Sequence, residues 1–192
     1  MSRHRPSGAL RLLPVLAEPR DGAEQVTQAL PAEPLELEEE RGEWARVRTA
    51  YGYPGWVRAD GLGPAPPEDW LDPRVGEAVD EARGFLGSPY LWGGMTASGI
   101  DCSGLVHMAY RRLGLLVPRD ADQQEAAGHA VAEQDLRRGD LVTYGDAVTD
   151  HIAFWLGDGR ILHATGRKGV NAVVEEPEPA ELHARRRRLI RL

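Results

Sequence analysis

The segment from Tyr90 to Val106 reads YLWGGMTASGIDCSGLV and contains Cys102, the single cysteine of the 192-residue chain. Asp101 is a favourable N-cap, so Cys102 falls in the first turn of a helix, where free backbone N–H groups and the helix dipole stabilise a thiolate. One face of this helix is apolar, with Leu105, Val106, Ala109 and Leu113. Cys102 extends that face, so it is either a nucleophile or a packed small side chain.

The chain around this segment shows helices first and strands afterwards. Asp72 and Pro73 predict the start of a helix that ends at Gly87, and a helix from about Asp101 ends near Leu113. A short helix is predicted over 120–127. Strands are predicted over Leu141–Tyr144, His151–Leu156, Arg160–Ala164, Asn171–Val174 and Arg187–Leu192. This order is typical of an α+β domain with an antiparallel sheet.

Residues 8–62 follow a different pattern, with short alternating runs separated by turns that contain Gly or Pro. The predicted strands cover 10–16, 26–30, 34–39, 44–49 and a short last strand at 56–57. Five short strands in this length suggest a small barrel. The linker Gly63-Pro64-Ala65-Pro66-Pro67 favours extended chain. We therefore assign residues 1–66 to a β domain with its linker and residues 67–192 to the α+β domain.

Composition limits the partners of the chain. The formal net charge of −7 disfavours binding to a nucleic-acid backbone. No segment reaches the ~18 apolar residues of a membrane span, and Met1–Ala17 has a poor signal-peptide core. We therefore expect a cytoplasmic protein without nucleic-acid or membrane partners, in which a free thiol stays reduced.

Two of the six histidines are candidates for the base that a nucleophilic cysteine needs. His151 begins one predicted strand and His163 lies in the next, with Gly157-Asp158-Gly159 between them. A three-residue loop pairs Leu156 with Arg160 and makes His151 and His163 diagonal neighbours on one face. A two-residue loop would place them on opposite faces, as two unrelated strand histidines.

Two histidines and one cysteine could also bind zinc. Structural zinc sites need four ligands, commonly with a close Cys pair, and this chain has no second cysteine. We therefore expect no metal and no cofactor.

Several motifs of the second half resemble those of the NlpC/P60 cysteine peptidases. They are Tyr90-Leu91-Trp92-Gly93-Gly94, Asp101-Cys102-Ser103-Gly104-Leu105, Pro118-Arg119-Asp120, Gly139-Asp140-Leu141, Asp150-His151-Ile152-Ala153 and Ile161-Leu162-His163-Ala164. The first half resembles a bacterial SH3-like domain, through Trp44 and Tyr53-Pro54-Gly55-Trp56. The pairing is similar to the γ-D-glutamyl–diamino-acid endopeptidases that recycle wall peptides.

This resemblance implies a papain-like catalytic domain after a small SH3-like barrel. It implies a Cys-His-His triad of Cys102, His151 and His163, with Tyr90 in the oxyanion hole. By the same resemblance, Asp101, Ser103 and Tyr53 bind the free N-terminal L-Ala of the substrate. The resemblance also implies that three residues lie in segments that form the walls of the cleft, namely Trp92, Arg119 and Asp120. The expected partner is a small murein peptide, and the expected state is a monomer.

Two positions depart from the family pattern. Some members have Ser where this chain has Ala121, and some have an acid where this chain has Val26, for which Glu24 is a candidate substitute. These departures concern the amine contacts rather than the triad. Two other functions stay open, a wall-peptide-binding module without hydrolysis and an amidase or acyltransferase on the same scaffold.

Overall fold

The computed structural model describes residues 5–192 of the chain. The residues form two compact units, Met1–Asp72 and Pro73–Leu192. No helix of the described residues is long and apolar enough to cross a membrane.

The first unit is an antiparallel sheet with the strand order β3-β2-β6-β5-β4-β1-β7. Its strands are β1 Arg5–Ala9, β2 Leu13–Leu16, β3 Gln25–Ala29, β4 Pro34–Arg41, β5 Trp44–Thr49, β6 Pro54–Arg58 and β7 Leu62–Gly63. The alternating side chains of these strands bury a common core that includes Val15, Ala29, Ala45, Val47 and Val57. Strand alternation was therefore a sound guide to the core.

The number of strands in this unit differs from the prediction of five. The predicted strand over 10–16 begins only at Leu13, because Leu10 is 60% exposed and the chain bends there. The residues before the bend form β1, which pairs with β4 on one side and with the short β7 on the other. Long-range pairing of β1 and β7 therefore adds two strands that the local pattern did not indicate.

The second unit packs helices on a six-stranded antiparallel sheet of order β10-β15-β11-β12-β13-β14. Its helices are α1 Ala78–Arg83, α2 Cys102–Arg111, α3 Ala121–Ala127 and α4 Ala180–His183. The sheet strands are β10 His129–Ala130, β11 Leu141–Tyr144, β12 His151–Gly157, β13 Arg160–Thr165, β14 Ala172–Pro177 and β15 Arg186–Arg191, while β8 Met95–Thr96 pairs with β9 Gly99–Ile100. The buried residues Leu105, Val106 and Ala109 lie on α2, which packs against β12 and β13.

The helix predicted from Asp72 to Gly87 is wrong at both ends, since the observed helix ends at Arg83. Helix α1 begins at Ala78, with Glu77 as its N-cap. The Arg74 N–H donates to the carbonyl of Arg112 at 2.7 Å, and Val75 is exposed. A backbone contact with the end of α2 therefore replaces the first helical turn that local signals favour.

The loop of the β12–β13 hairpin differs from the prediction, whereas the register of the two strands at the histidines is as predicted. Gly157 rather than Leu156 pairs with Arg160, and Asp158 and Gly159 form a two-residue turn with φ of 50° and 69°. Leu156 is an extra residue between paired positions, and beyond it Trp155 pairs with Ile161. This bulge restores the alternation that a two-residue loop would have shifted, so His151 and His163 lie on the same face.

Candidate active site

The predicted nucleophile stands at the start of α2. Asp101 has extended backbone angles and accepts a hydrogen bond from the Gly104 N–H at 2.7 Å, which makes it the N-cap. Cys102 is the first helical residue, which agrees with the predicted first turn, and the backbone N–H groups of Ile152 and Ser103 lie near enough to its sulfur to favour the thiolate. The Ile152 contact places the sulfur beside the beginning of β12, next to His151.

The protonation state of Cys102 differs from the thiolate expected at a helix start. The residue is only 6% exposed. Burial and then the Asp101 carboxylate raise the pKa of Cys102 to about 12, and the hydrogen bonds to the sulfur offset this only in part. In the free protein the residue is therefore a neutral thiol.

The two predicted histidines form a hydrogen-bonded pair. His151 Nε2 lies 2.7 Å from His163 Nδ1, and the rings meet nearly edge to face. Burial, followed by the neighbouring His163, lowers the pKa of His151 to about 3. Burial also lowers the pKa of His163, which is 1% exposed, despite the opposing effect of Glu176. Both rings are therefore neutral at pH 7, and His151 is able to accept a proton.

Glu176 and Arg167 are site residues that the sequence reading missed. His163 Nε2 lies 2.9 Å from Glu176 Oε1, and Arg167 donates to Glu176 Oε2 at 2.7 Å. Val174 pairs with His163, so the two-residue period places Glu176 on the same face as His163. That period could have indicated Glu176 once the β13–β14 pairing was known.

Tyr90 is half-buried and lies near enough to Cys102 and Asp101 for both to affect its pKa. Burial, followed by the proximity of Cys102 and Asp101, raises the pKa of Tyr90, so the hydroxyl stays protonated and able to donate. Its backbone N–H donates to the Asn171 carbonyl at 3.2 Å. A Cβ at Gly166 would lie 3.1 Å from Tyr90 Cδ1, so glycine leaves room for the ring.

Asp101, Ser103 and Arg119 form a buried cluster. Arg119 donates to both oxygens of Asp101, at 2.9 and 2.7 Å, and to Ser103 Oγ at 2.9 Å. Asp101 also accepts from the Gly93 N–H at 2.7 Å. Arg119 is 1% exposed, so its predicted place in a cleft wall is wrong: it is an internal partner of Asp101.

The remaining predicted residues lie in three places. Trp92 is 59% exposed on the loop before β8. Asp120 is the partly buried residue that precedes α3, and Gln123 donates to it at 3.5 Å. Tyr53 belongs to the first unit, between β5 and β6, with its ring 6.4 Å from that of Tyr51.

A pocket of about 300 Å³ opens beside the two histidines. Its lining is charged, with Asp150, Arg167, Glu181 and Arg185 next to His151, His163, Thr165 and Leu182. Within residues 5–192, no group of three or more His, Cys, Asp or Glu side chains is arranged to hold a metal ion.

Several known proteins resemble this chain. The γ-D-glutamyl-L-lysine dipeptidyl-peptidase of Bacillus cereus is 34% identical over 124 residues, which are 62% of this chain and 37% of that relative. The chain thus spans well under half the length of that relative. The solved structure of the peptidoglycan hydrolase RipB from Mycobacterium tuberculosis is 32% identical, with a TM-score of 0.53 over 59% of this chain and 62% of its own.

The fold is shared over a longer region with the crystal structure of an NlpC/P60 family protein from Bacillus cereus. That match has a TM-score of 0.58 and 23% identity, and it covers 99% of this chain and 64% of that chain. A family model described as the bacterial dipeptidyl-peptidase Sh3 domain matches residues 15–62, which confirms the predicted SH3-like fold of the first half. The NlpC/P60 family model matches residues 87–185, more than half of the sequence, and the chain therefore belongs to the NlpC/P60 family.

Proposed function

We propose that this chain is a cysteine peptidase that hydrolyses the γ-D-glutamyl–diamino-acid bond of peptidoglycan stem peptides with a free N-terminal L-Ala. The observation that carries the proposal is the 2.7 Å hydrogen bond between His151 and His163, beside Ile152, whose backbone N–H lies near enough to Cys102 to lower its pKa. A cysteine, a base and a residue that orients the base are the parts that nucleophilic acyl transfer requires. The γ-D-glutamyl-L-lysine dipeptidyl-peptidase named above supports the class of bond.

The reaction starts from a neutral Cys102 thiol and a neutral His151 imidazole. His151 takes the thiol proton while the sulfur of Cys102 bonds to the γ-carbonyl carbon, and the carbonyl electrons move to the oxygen. The Cys102 N–H and the Tyr90 hydroxyl donate to that oxyanion. His151 then gives its proton to the departing amine as the C–N bond breaks, which leaves a thioester. Water attacks the thioester with His151 as base, and L-Ala-γ-D-Glu leaves as the thiol re-forms.

Recognition of the free amine is assigned, within the second unit, to Asp101 and Ser103. A carboxylate and a hydroxyl are suitable partners for an ammonium group. Both oxygens of Asp101 already accept from Arg119, so the charge of this carboxylate is largely matched within the protein. We therefore expect the amine to add to an existing cluster rather than to neutralise an isolated charge.

The test uses L-Ala-γ-D-Glu-L-Lys and its meso-diaminopimelate analogue, each with a free or an acetylated L-Ala amine. The wild-type protein should release L-Ala-γ-D-Glu from the free-amine peptides, while Cys102→Ala should release none. His129 is exposed, and His129→Gln is the matched control for His151→Gln, which should lose turnover.

Two results would contradict the proposal. Normal turnover by Cys102→Ala would exclude the nucleophile, and equal cleavage of free and acetylated peptides would exclude amine recognition. Tight binding of intact peptide by the wild-type protein, with no cleavage, would instead support the wall-peptide-binding alternative.

A further inference from the structure

Three hydrogen bonds connect the histidine pair to a carboxylate and an arginine. His151 Nε2 meets His163 Nδ1 at 2.7 Å, His163 Nε2 meets Glu176 Oε1 at 2.9 Å, and Arg167 meets Glu176 Oε2 at 2.7 Å. Each imidazole nitrogen in this series faces one partner. A neutral imidazole has one N–H and one lone pair, so the nature of the last partner decides the order of donors and acceptors along the whole series.

Glu176 can only accept when it is ionised. Burial raises its pKa, but hydrogen bonds from Arg167 and His163 have the larger combined effect and hold that pKa below the ordinary glutamate value. His163 must then carry its proton on Nε2 and present a lone pair at Nδ1. His151 in turn donates from Nε2, and its Nδ1 is left as the basic nitrogen.

We infer that Glu176, held by Arg167, is a positioning residue that fixes the tautomers of His163 and His151 and thereby keeps His151 Nδ1 free to accept the proton of the nucleophile. The inference rests on the proposed function for its role in turnover. It adds two residues to the triad, neither of which touches the reacting atoms. Groups that face the pair from the surrounding elements include Tyr144, Arg167 and Arg185, in addition to Glu176.

Because Arg167 also binds Glu176, we expect an unusual order of activities for the variants of Glu176. In Glu176→Gln the amide oxygen must face Arg167, which has only donors, so the amide NH₂ faces His163 Nε2. His163 then carries its proton on Nδ1, and His151 is forced to carry its own on Nδ1, where it cannot accept another. In Glu176→Ala no group forces either tautomer, and water from the adjacent pocket can accept from His163. The conservative change should therefore be the more harmful one.

The first experiment reads the tautomers directly. Long-range ¹H–¹⁵N spectra of wild-type protein labelled at histidine should show both rings protonated at Nε2 at pH 7, and Glu176→Gln should show both protonated at Nδ1. This measurement needs no hydrolysis, so it tests Glu176 even if the proposed substrate is wrong. A wild-type spectrum with either ring protonated at Nδ1 would overturn the inference, whether or not the variant folds.

The second experiment measures turnover of the free-amine peptide. Glu176→Gln should lower kcat by up to about 10⁴-fold with little change in KM, which is the loss that a wrong tautomer causes in a serine protease triad. Glu176→Ala should lower kcat only about tenfold. The double variant Glu176→Gln with Arg167→Ala should recover part of the loss, because the amide can then turn its oxygen to His163.

Glu175→Gln is the matched control. Glu175 is the neighbouring residue of β14, has a side-chain exposure of 24% against 22% for Glu176, and also pairs with an arginine, Arg83. Its variant should keep wild-type kcat. Equal kcat for Glu176→Gln and wild type, or a larger loss in Glu176→Ala than in Glu176→Gln, would contradict the assignment.

Discussion

Two of the carboxylate–guanidinium pairs of the second unit, Asp101–Arg119 and Glu176–Arg167, differ in what else each carboxylate touches. Asp101 gives both oxygens to Arg119 and accepts two backbone N–H groups as well, with both residues buried. Glu176 gives one oxygen to Arg167 and the other to His163, and both of its partners border the pocket. All partners of Asp101 are buried groups, and this pair fixes the position of the start of α2. Glu176 connects Arg167 to His163, and this pair fixes which nitrogen of each imidazole carries the proton.

The largest expected effect is a difference in the free energy of unfolding between a variant of Arg119 and a variant of Arg167. Arg119→Met leaves the Asp101 carboxylate buried without its cation, so the free energy of unfolding should fall by about 3–5 kcal/mol. Arg167 is 32% exposed, and Arg167→Met should cost under about 1 kcal/mol while lowering turnover. Urea unfolding followed by circular dichroism measures both. Equal losses of stability in the two variants would show that the Asp101–Arg119 and Glu176–Arg167 pairs do not differ in this way.

Alkylation of Cys102 tests the buried thiol that follows Asp101 in the chain. Because burial raises the pKa of Cys102, iodoacetamide should react with the free protein roughly 100-fold more slowly than with free cysteine at pH 7. The rate should still be rising above pH 9. Mass spectrometry of the modified protein gives the rates, and unfolded protein in urea is the control. A rate faster than that of free cysteine at pH 7 would mean a resting thiolate.

The histidine pair should make stability depend on pH. The pKa of His151 is lowered to about 3 and that of His163 is also lowered, so the unfolded chain binds protons before the folded one does. Stability is therefore complete above about pH 6.5, the ordinary pKa of histidine, and is lost as the pH falls from there toward 3. Each such histidine contributes a slope of up to about 1.4 kcal/mol per pH unit.

Urea unfolding at several values between pH 4.5 and 7.5 measures this slope. His151→Gln should flatten it, whereas His129→Gln, at an exposed position, should leave it as in the wild type. His107 is also buried with a pKa lowered to about 3, so part of the slope should remain in His151→Gln. An identical slope in His151→Gln and wild type would show that His151 does not stay neutral in the fold.

The smallest effect concerns Tyr90. Gly166→Ala would place a Cβ 3.1 Å from Tyr90 Cδ1, so the ring must shift by a few tenths of an ångström. We expect kcat to fall by roughly several-fold, with stability unchanged within about 0.5 kcal/mol. Steady-state kinetics on the free-amine peptide checks this. Unchanged kcat would show that the exact position of the Tyr90 hydroxyl has no part in turnover.

The sequence predicted the parts of the site that depend on local signals. Asp101 as N-cap, Cys102 as the first helical residue and the strands of His151 and His163 all follow from short-range patterns, and the structure confirms them. The Leu156 bulge could not be predicted, because a two-residue turn with a bulge and a three-residue loop have the same length in sequence.

Long-range contacts account for what the sequence did not indicate. The family resemblance implied a cleft-wall position for Arg119, whereas the fold buries it against Asp101. Glu176 lies thirteen residues from His163, and only the β13–β14 register makes them neighbours. The burial of Cys102 likewise depends on packing against β12, which a helix-start argument does not include.

We propose that Cys102 forms a covalent thioester with L-Ala-γ-D-Glu during turnover, and this intermediate can be trapped. Wild-type protein mixed with L-Ala-γ-D-Glu-L-Lys, quenched with acid within milliseconds and digested should yield the Cys102 peptide with the mass of that acyl group added. The same peptide should be unmodified in His151→Gln. Turnover of the substrate with the acyl group on another residue, or with no acylated protein at any time, would contradict the account.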